Sequence, residues 1–376
     1  MHIGILCGGG PAPGFNGVIH AVTIAAHARG WQVTGIMDGY KHLMRGDVTQ
    51  VRALLPADVA GISTRGGSIL RTNRANPRRS PDDMAHVAAA VKQLGLDALV
   101  TLGGDDTASS AAAVADALAA EGVSLRVAHV PKTIDNDLPL PGNSPTFGFT
   151  TAAELASQLC QNLRVDALTT SRWYLVSAMG RSAGHLALAM ASGSEADLCI
   201  IREEFEDKGV KLETLAAMVA KAITLRRQAG QEGGLVVLAE GLLEKLPAAE
   251  LKAIAALELD EHGNPRMSEV DLGKAVRDAV RASMGKAAPG FVTKIIGYEL
   301  RCADPCAFDV AYTTELGAAA VKFLADDKGH GMLAIHDGRV DVLRFEDLRD
   351  KAGRIPVRRV DLQGAAWQGS LARQAR

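Results

Sequence analysis

The sequence predicts an α/β fold of two domains, each built on a largely parallel β-sheet covered by helices. Its 376 residues exceed the usual length of a single domain, and its 47% hydrophobic content supports sizeable cores. Short β-rich runs alternate with Ala-rich helical runs along most of the chain. Such alternation is typical of parallel sheets, because a parallel strand needs a crossover connection to reach its neighbour.

Nine runs have the length and composition of strands, namely residues 3–7, 32–37, 98–102, 125–130, 173–178, 198–201, 235–239, 293–296 and 332–336. Eight runs are predicted to be helical, namely residues 17–29, 81–94, 107–121, 150–163, 183–192, 212–228, 270–283 and 312–325. A polar stretch at residues 260–266 is predicted to be a loop.

The composition argues against several classes of partner. The formal net charge of −2 argues against a polyanion-binding surface, and 4% aromatic residues leave little stacking surface for single-stranded nucleic acid. No apolar run has the length of a membrane span, and no signal-peptide layout opens the chain. The 5 cysteines are scattered, as in reduced intracellular proteins. We therefore expect a cytoplasmic protein that binds neither nucleic acid nor membrane.

Five predicted strands run directly into glycine-rich or charged turns. Ligands of open α/β sheets bind at the carboxyl ends of the strands, so we expect these turns to form one cleft. The turns are residues 8–10, 103–107, 131–137, 179–181 and 240–241.

The turn after residues 125–130 carries the most informative chemistry. Lys132, Thr133, Asp135 and Asp137 place an ammonium, a hydroxyl and two carboxylates in one short segment. A carboxylate can accept the proton of an attacking alcohol or hold Mg²⁺, and a Lys offsets phosphate charge, so the segment favours phosphoryl transfer. The alternative is a solvated turn whose Asp residues cap the next element.

Two glycine-rich turns are candidates for phosphate binding. At Gly8, Gly9 and Gly10, backbone N–H groups can approach a phosphate where a helix begins, although the spacing matches neither the dinucleotide fingerprint nor the P-loop. After a second glycine pair, Asp105 and Asp106 open an Ala-rich helix. One acid suffices for an N-cap, so the second indicates a Mg²⁺ ligand.

Charged residues elsewhere are candidates with ordinary alternatives. Arg71 and Arg74 beside Gly66 and Gly67 form a basic loop that is either phosphate-binding or solvated. Glu240 ends an apolar strand, where an acid favours the binding of sugar hydroxyls. Residues 179–184, with Met179, Gly180 and Arg181, are similar to a strand-to-helix anion turn that carries its own Arg. Arg172 precedes that strand and could be an ordinary surface residue. Lys294, Tyr298 and Arg301 could hold a sugar phosphate or could lie at a strand edge with exposed cations.

With these residues identified, the chain resembles the phosphofructokinase family over nearly its whole length. The matching motifs, in the family's order and spacing, are Gly9-Gly10…Asn16, Gly66-Gly67…Arg74, Gly103-Gly104-Asp105, Thr133-Ile134-Asp135-Asn136-Asp137, Met179-Gly180-Arg181, Glu240-Gly241 and Gly297-Tyr298…Arg301. The resemblance implies two Rossmann-like, three-layer domains with the active site in the cleft between them. The donor domain would comprise residues 1–147 and about 300–345, and the sugar-phosphate domain about 148–299 and 346–376.

The resemblance also implies phosphoryl transfer to the C1 hydroxyl of fructose 6-phosphate and assigns roles to residues. Asp135 would be the catalytic base, assisted by Thr133 and Arg181, and Asp105 would hold Mg²⁺. The donor would be bound by Gly9, Gly10, Arg74, Gly104, Asp106 and Lys132. The sugar phosphate would be bound by Thr133, Asp135, Asp137, Arg172, Met179, Gly180, Arg181, Glu240, Lys294, Tyr298 and Arg301.

Two further properties follow from the family pattern. In the family, Arg172 and a cation near Lys294 reach the neighbouring subunit's site, which implies a homodimer or homotetramer. The usual Arg lies two residues before Lys294, where this chain has Val292. His20 and Ile24 occupy positions where bacterial ATP-using members carry effector-binding Arg residues, so we expect no nucleotide allostery.

Departures from the ATP-using members indicate the phosphoryl donor. Asp106 and Lys132 replace two glycines of those members, as they do in pyrophosphate-using members. A side chain at position 106 intrudes where the α-phosphate of a nucleotide would pass, and Lys132 can bind the denser charge of pyrophosphate. We therefore expect reversible, Mg²⁺-dependent transfer from pyrophosphate to fructose 6-phosphate, giving fructose 1,6-bisphosphate in glycolysis or gluconeogenesis.

Four alternatives remain at this level. The enzyme could use ATP despite Asp106 and Lys132, or could use pyrophosphate with sedoheptulose 7-phosphate as its preferred acceptor. A lipid or NAD kinase shares the Gly-Gly-Asp-x-Thr pattern but lacks the motif around Asp135. A non-catalytic metabolite sensor is disfavoured because Asp105 and Asp135 are both present.

Overall fold

The computed structural model describes residues 1–206, 208–255, 270–326, 329–348 and 355–376, so the loop predicted at 260–266 lies outside the described residues. The chain divides into two compact units. Unit 1 comprises Met1–Ile134, Leu138–Ala152 and Arg301–Val357. Unit 2 comprises Asp135–Asp137, Ala153–Leu300 and Arg358–Arg376. The assignment of the donor to one unit and the sugar phosphate to the other stays a prediction, as does a site shared by both.

The described residues form eleven strands, which in chain order are β1 (His2–Cys7), β2 (Gln32–Ile36), β3 (Val51–Ala53), β4 (Ala98–Gly103), β5 (Arg126–Pro131), β6 (Arg172–Ala178), β7 (Leu198–Ile200), β8 (Gly234–Ala239), β9 (Gly290–Ile296), β10 (His330–His336) and β11 (Arg339–Arg344). The α-helices are α1 (Phe15–His27), α2 (Pro81–Gln93), α3 (Asp105–Ala120), α4 (Phe149–Thr170), α5 (His185–Ser194), α6 (Leu212–Gln228), α7 (Ala248–Ala255), α8 (Leu272–Met284), α9 (Tyr298–Arg301), α10 (Ala307–Asp326), α11 (Phe345–Leu348) and α12 (Ala365–Leu371).

Unit 1 is a three-layer α/β unit around a seven-stranded sheet of order β11-β10-β5-β4-β1-β2-β3. Only β3 and β11, at its two edges, run antiparallel to their neighbours. Side chains alternate between the two faces of the sheet. Ile3 and Ile5 therefore pack in a core with α1 and α10, whereas Leu6 and Leu99 pack in a second core with α2 and α3.

Unit 2 contains a four-stranded, entirely parallel sheet of order β7-β8-β6-β9. Leu175 and Val236 pack against α6 and α8 in the core on one face of this sheet. The chain ends within unit 2, where the backbone N–H of Ala375 donates to the carbonyl of Asp197 at 2.8 Å and Arg376 forms an ion pair with Glu204.

The predicted α/β class with largely parallel sheets is confirmed, and the boundaries differ at particular helices. Helix α4 continues to Thr170, beyond the predicted end at residue 163, and α10 begins at Ala307 rather than at residue 312. The added turn of α10 carries the buried Asp309, whose carboxylate accepts hydrogen bonds from the backbone N–H groups of Gly148 and Thr151 at 2.9 Å each. Within the described ranges, no helix is long and apolar enough to cross a membrane.

Candidate active site

The carboxyl ends of three neighbouring strands in unit 1 carry the predicted donor residues. Strand β4 lies between β1 and β5, with Cys7 beside Leu102 and Gly103 beside Pro131. The N–H of Gly8 donates to the carbonyl of Leu102, and the N–H of Lys132 donates to the carbonyl of Gly103, both at 2.8 Å. The predicted turns at residues 8–10, 103–107 and 131–132 are thus joined along one edge of the sheet.

The Thr107 side chain lies against Gly8 and Gly103, and its position is the reason that both residues are glycine. A Cβ built on Gly8 would lie 2.3 Å from the Thr107 Oγ1, and a Cβ built on Gly103 would lie at the same distance from that atom. Real Cβ atoms do not approach so closely, so only glycine fits either position while Thr107 stays in place. No local sequence pattern indicates this role of Thr107.

The turn at Gly9 is held by a segment that the sequence analysis had only partly identified. The N–H of Gly9 donates to the carbonyl of Asn73 at 2.9 Å, and the Thr72 hydroxyl donates to the carbonyl of Gly9 at 2.9 Å. Gly9 has a φ of 80°, a conformation that favours glycine. Arg74 follows Asn73 directly and is exposed, and its predicted role in donor binding stays a prediction.

Two cations lie against the glycine turn. A Cβ built on Gly9 would lie 3.7 Å from the Lys132 Nζ, and a Cβ built on Gly10 would lie 3.5 Å from the guanidinium carbon of Arg301. The Lys132 ammonium also lies 5.8 Å from the ring centroid of Phe15, while the residue is only 7% exposed. Two cations beside glycines that carry no side chain are suited to binding an anion such as a phosphate. Arg301, predicted to bind the sugar phosphate, thus lies beside the predicted donor turn.

Asp105 and Asp106 form the exposed first turn of α3, directly after Gly104. Both acids lie at the amino end of the helix, where negative charge is favourable. Among the described residues, no group of three or more His, Cys, Asp or Glu side chains could form a metal cage. A Mg²⁺ ion here would therefore take most of its oxygen ligands from phosphate and water, as Mg²⁺ commonly does.

His129 supports the same edge of the sheet from within the core. Burial lowers the pKa of its imidazole to about 3, so the ring is neutral at neutral pH. Its Nε2 lies 3.1 Å from the carbonyl of Gly103 and must carry the proton, because a carbonyl only accepts. Its Nδ1 then accepts from the Thr101 hydroxyl at 2.8 Å. His129 and the Lys132 N–H together hold the Gly103 carbonyl.

The predicted catalytic segment is anchored at both of its ends. In unit 1, the Thr146 hydroxyl donates to the carbonyl of Thr133 at 2.7 Å. In unit 2, Asp135 and Asp137 are half-buried and flank the buried Asn136, which has a φ of 56°. Arg358 donates hydrogen bonds to the backbone and the side chain of Asn136.

The carboxyl ends of strands in unit 2 bring together three predicted sugar-phosphate residues. Strand β6 lies between β8 and β9, so Met179, Glu240 and Tyr298 follow the ends of three adjacent strands. A Cβ built on Gly297 would lie 2.3 Å from the Met179 Cγ, which explains the glycine in that turn. Gly180 has a φ of 121°, so the chain turns directly after Met179.

Arg181 is engaged by an ion-pair network within unit 2. Its Nε lies 3.3 Å from the Glu244 Oε1, and its side chain is 62% exposed. The buried Arg202 donates to the Arg181 carbonyl at 2.6 Å and to the Glu244 Oε2 at 2.9 Å. Glu244 thus bridges the two guanidinium groups, a relationship that the sequence analysis had missed.

The amino end of α5, interpreted from sequence as an anion-binding turn, is occupied by the chain's own carboxylate. The buried Glu203 accepts from the N–H of Gly184 at 2.9 Å, where that helix begins. A carboxylate in this position uses the donors that a phosphate would need. The Gly184 N–H is therefore used within the chain, and the predicted role of this turn in anion binding stays a prediction.

Two predicted residues lie apart from this group within the chain. Arg172 begins β6, whereas Met179 follows the end of that strand, so about 23 Å of strand separates them. Lys294 pairs with Val176 in the middle of the edge strand β9 and is exposed. Their predicted roles across a subunit interface stay predictions.

Comparison with known proteins gives a consistent family. The family model described as Phosphofructokinase matches residues 2–324. A Thermotoga maritima protein named pyrophosphate–fructose 6-phosphate 1-phosphotransferase is 45% identical over 374 residues, covering 97% of this chain and 88% of its own length. A Naegleria fowleri protein of the same name is 40% identical over 378 residues, covering 97% of this chain and 86% of its own length.

More distant relatives include both donor types. A Spirochaeta thermophila protein named ATP-dependent 6-phosphofructokinase is 31% identical over 364 residues, covering 94% of this chain and 92% of its own length. The solved structure of a pyrophosphate-dependent phosphofructokinase from Nitrosospira multiformis superposes with a TM-score of 0.72 at 17% identity, covering 96% of this chain and 86% of that one. At that identity the likeness shows a shared fold alone.

Proposed function

The chain belongs to the phosphofructokinase family, and on that premise we propose that it transfers a phosphoryl group from pyrophosphate to the C1 hydroxyl of fructose 6-phosphate. The products are fructose 1,6-bisphosphate and phosphate. Pyrophosphate and the sugar bisphosphate have comparable transfer potentials, so the enzyme runs in both directions, in glycolysis or gluconeogenesis.

The position of Lys132 against the glycine turn supports pyrophosphate as the donor. Its ammonium lies beside Gly9 and would bind a donor phosphate there. Asp106 lies in the first turn of α3 at the same sheet edge. The added ammonium favours a short, dense anion, and the Asp106 side chain would disfavour a longer nucleotide by taking up space.

The residues at the start of α3 fit a Mg²⁺ ion held with the donor. Asp105 is an exposed acid whose carboxylate is a ligand type that Mg²⁺ prefers, and the donor's phosphates would complete the coordination. When bound, Mg²⁺ neutralises charge on the phosphates of pyrophosphate. Arg74 and Arg181 add positive charge around the transferred group, and Gly9 and Gly10 provide backbone contact.

Asp135 acts as the general base in this proposal. It accepts the proton of the C1 hydroxyl as that oxygen bonds to the terminal phosphorus of pyrophosphate, and the bond from that phosphorus to the bridging oxygen breaks to release phosphate. Thr133 and Asp137 flank this base along the chain. In the reverse direction, the protonated Asp135 returns the proton to the sugar oxygen.

The sugar phosphate is recognised by side chains from the strand ends of unit 2. Met179, Glu240 and Tyr298 follow three adjacent strands and would contact the sugar. Arg172 and Lys294 lie away from these residues and would serve the site of a neighbouring subunit. We therefore propose a cytoplasmic homodimer or homotetramer.

The proposal is tested by identifying the products of the purified chain. Fructose 6-phosphate and Mg²⁺ are incubated with either pyrophosphate or ATP, and fructose 1,6-bisphosphate and released phosphate are quantified by ³¹P NMR. Equal amounts of both products from pyrophosphate, with little turnover of ATP, support the proposal. Turnover of ATP alone would overturn the donor assignment and leave the family assignment intact.

A second acceptor is included because the family resemblance leaves it open. Sedoheptulose 7-phosphate differs from fructose 6-phosphate by one carbon and carries its phosphate at the far end of the chain. A higher kcat/KM for sedoheptulose 7-phosphate with pyrophosphate would revise the acceptor and retain the donor and the role of Asp135.

A further inference from the structure

Arg358 holds the segment between the two predicted catalytic acids. Its backbone N–H donates to the carbonyl of Asp137 at 2.8 Å, and its Nε donates to the carbonyl of Asn136 at 3.0 Å. A terminal guanidinium nitrogen of Arg358 also donates to the Asn136 Oδ1. The peptide groups after Asn136 and after Asp137 are therefore both fixed by one residue located 222 positions away in the sequence.

The conformation of Asn136 explains why such an anchor is needed. Its φ of 56° lies in the left-handed region, which Asn tolerates better than most residues but which still disfavours a side chain. Asn136 is 8% exposed, so its polar atoms need partners within the protein. Arg358 supplies these partners, and the resulting backbone direction sets where the side chains of Asp135 and Asp137 leave the chain.

The segment that carries Arg358 is itself anchored in unit 2. The N–H of Val360 donates to the buried Glu203 at 3.1 Å, and the same carboxylate oxygen accepts from Gly184 at the start of α5. Through Glu203, the segment that carries Arg358 is therefore connected to the turn that precedes α5.

We propose that Arg358 is a positioning residue for phosphoryl transfer, holding Asp135 and Asp137 in the orientation that the reaction needs. The inference rests on the proposed function, because it assumes that Asp135 is the base. Small displacements of a catalytic group reduce turnover far more than they reduce substrate binding. Loss of the guanidinium should therefore lower kcat and leave the KM values nearly unchanged.

The test compares Arg358→Ala with Arg359→Ala in the full-length protein. Arg359 is the adjacent cation, and its guanidinium pairs at 3.0 Å with the half-exposed Glu206 instead of the catalytic segment. We expect kcat of Arg358→Ala to fall by about 10²-fold, with KM for fructose 6-phosphate and pyrophosphate changed by less than about threefold. Arg359→Ala should keep kcat within about twofold of the unsubstituted chain.

Chemical rescue separates positioning from general destabilisation. Millimolar guanidinium chloride should raise kcat of Arg358→Ala by about fivefold or more, because the free ion can occupy the vacated space and bond Asn136. It should not raise kcat of Arg359→Ala or of Asp135→Asn. Arg358→Lys should recover only part of the activity, since one ammonium cannot reproduce the planar guanidinium contacts.

The inference is overturned if Arg358→Ala keeps kcat within about twofold, or if its lost activity is not restored by guanidinium although the protein is folded by circular dichroism. If Arg358→Ala does not fold, Arg358→Met decides, because it keeps an unbranched side chain and removes the guanidinium donors to Asn136; unchanged kcat in that variant contradicts the inference. An unsubstituted chain inactive with pyrophosphate and fructose 6-phosphate would instead refute the proposed function.

Discussion

Arg181 and Glu244 form an ion pair within unit 2, with the Arg181 Nε 3.3 Å from the Glu244 Oε1. Glu244 also accepts from the buried Arg202 at 2.9 Å, so its carboxylate is fixed by two cations. Arg181 is the cation proposed to neutralise charge on the transferred phosphoryl group. In the structure its charge is partly offset by Glu244, so substrate anions must compete with this carboxylate.

The competition predicts an effect of Glu244→Gln on substrate affinity. The amide keeps the size of the side chain and removes its charge, so Arg181 is freed for anions. Exposed ion pairs contribute at most about 1 kcal/mol, so KM for the anionic substrates should fall by up to about fivefold. Steady-state kinetics checks this, with Glu232→Gln as control because Glu232 pairs with Arg227 at 3.0 Å, outside the predicted site. An unchanged or higher KM would show that Glu244 does not restrain Arg181.

The general-base assignment predicts a large loss of turnover in Asp135→Asn. General-base catalysis contributes about 10² to 10⁴ in rate, and the amide cannot accept the hydroxyl proton. We expect kcat to fall within this range while fructose 6-phosphate still binds, as measured by isothermal titration calorimetry. Asp337→Asn is the matched control, because Asp337 is an exposed acid in the β10–β11 hairpin with a φ of 49° that Asn accepts. Near-normal turnover in Asp135→Asn would exclude the base role.

The close approach of Thr107 to Gly8 predicts that Gly8→Ala is harmful and that a second substitution, Thr107→Ala, compensates for it. Gly8→Ala would place a Cβ 2.3 Å from the Thr107 Oγ1 and should destabilise the fold by about 1–3 kcal/mol while raising KM for pyrophosphate. Adding Thr107→Ala should restore much of the stability and of the affinity for pyrophosphate. The Cβ at position 107 would then be the nearest atom of that residue, 3.1 Å from the new Cβ at position 8. Thermal unfolding and donor kinetics measure the two effects. Gly369→Ala is the control because nothing lies within 4 Å of its Cβ. If the double variant recovers neither stability nor affinity for pyrophosphate, contact with the Thr107 side chain is not the cause of the effect of Gly8→Ala.

The buried histidines predict a loss of stability in mild acid. Burial lowers the pKa of His129 to about 3 and of His185 to about 4, below the ordinary value of 6.5. Below pH 6.5 the unfolded chain therefore binds protons that the folded protein does not, and stability falls as pH decreases toward these folded-state values. Each of the two histidines can change the free energy of unfolding by up to about 1.4 kcal/mol per pH unit. The free energy of unfolding is measured in urea between pH 7 and pH 5. Its change with pH should be smaller in His129→Gln than in the unsubstituted chain, and it should be unaltered in His86→Gln, because His86 is exposed. Equal slopes in all three proteins would contradict it.

The strands that the sequence predicted well are those with continuous apolar runs. Apolar runs of strand length found β1, β4 and β5, and the glycine and acid turns after them identified the residues now seen along one sheet edge. The edge strands β3 and β11 were missed, because β3 has only 3 residues and β11 mixes Arg and Asp with Val. A half-exposed edge gives no continuous apolar run.

The residues that support the site could not be read from local pattern. Arg358, Thr107 and Glu244 act through contacts with residues distant in sequence or through shape, and neither leaves a periodic signal. Glu203 is a further example, since its carboxylate accepts from the Gly184 N–H in a turn that the sequence suggested as an anion site. In each case the tertiary arrangement decides which groups come into contact.

The donor assignment rests on Lys132 and Asp106, and the double substitution Asp106→Gly with Lys132→Gly tests it most directly. The measurement is kcat/KM for pyrophosphate and for ATP in the unsubstituted chain, both single variants and the double variant. Loss of the Lys132 ammonium should lower kcat/KM for pyrophosphate by about 10- to 10²-fold, since a charge-assisted contact is worth about 1.5–3 kcal/mol. Loss of the Asp106 side chain should make room for a nucleotide and raise the ATP-to-pyrophosphate ratio of kcat/KM. Unchanged pyrophosphate kinetics in the folded double variant would show that these two residues do not select the donor.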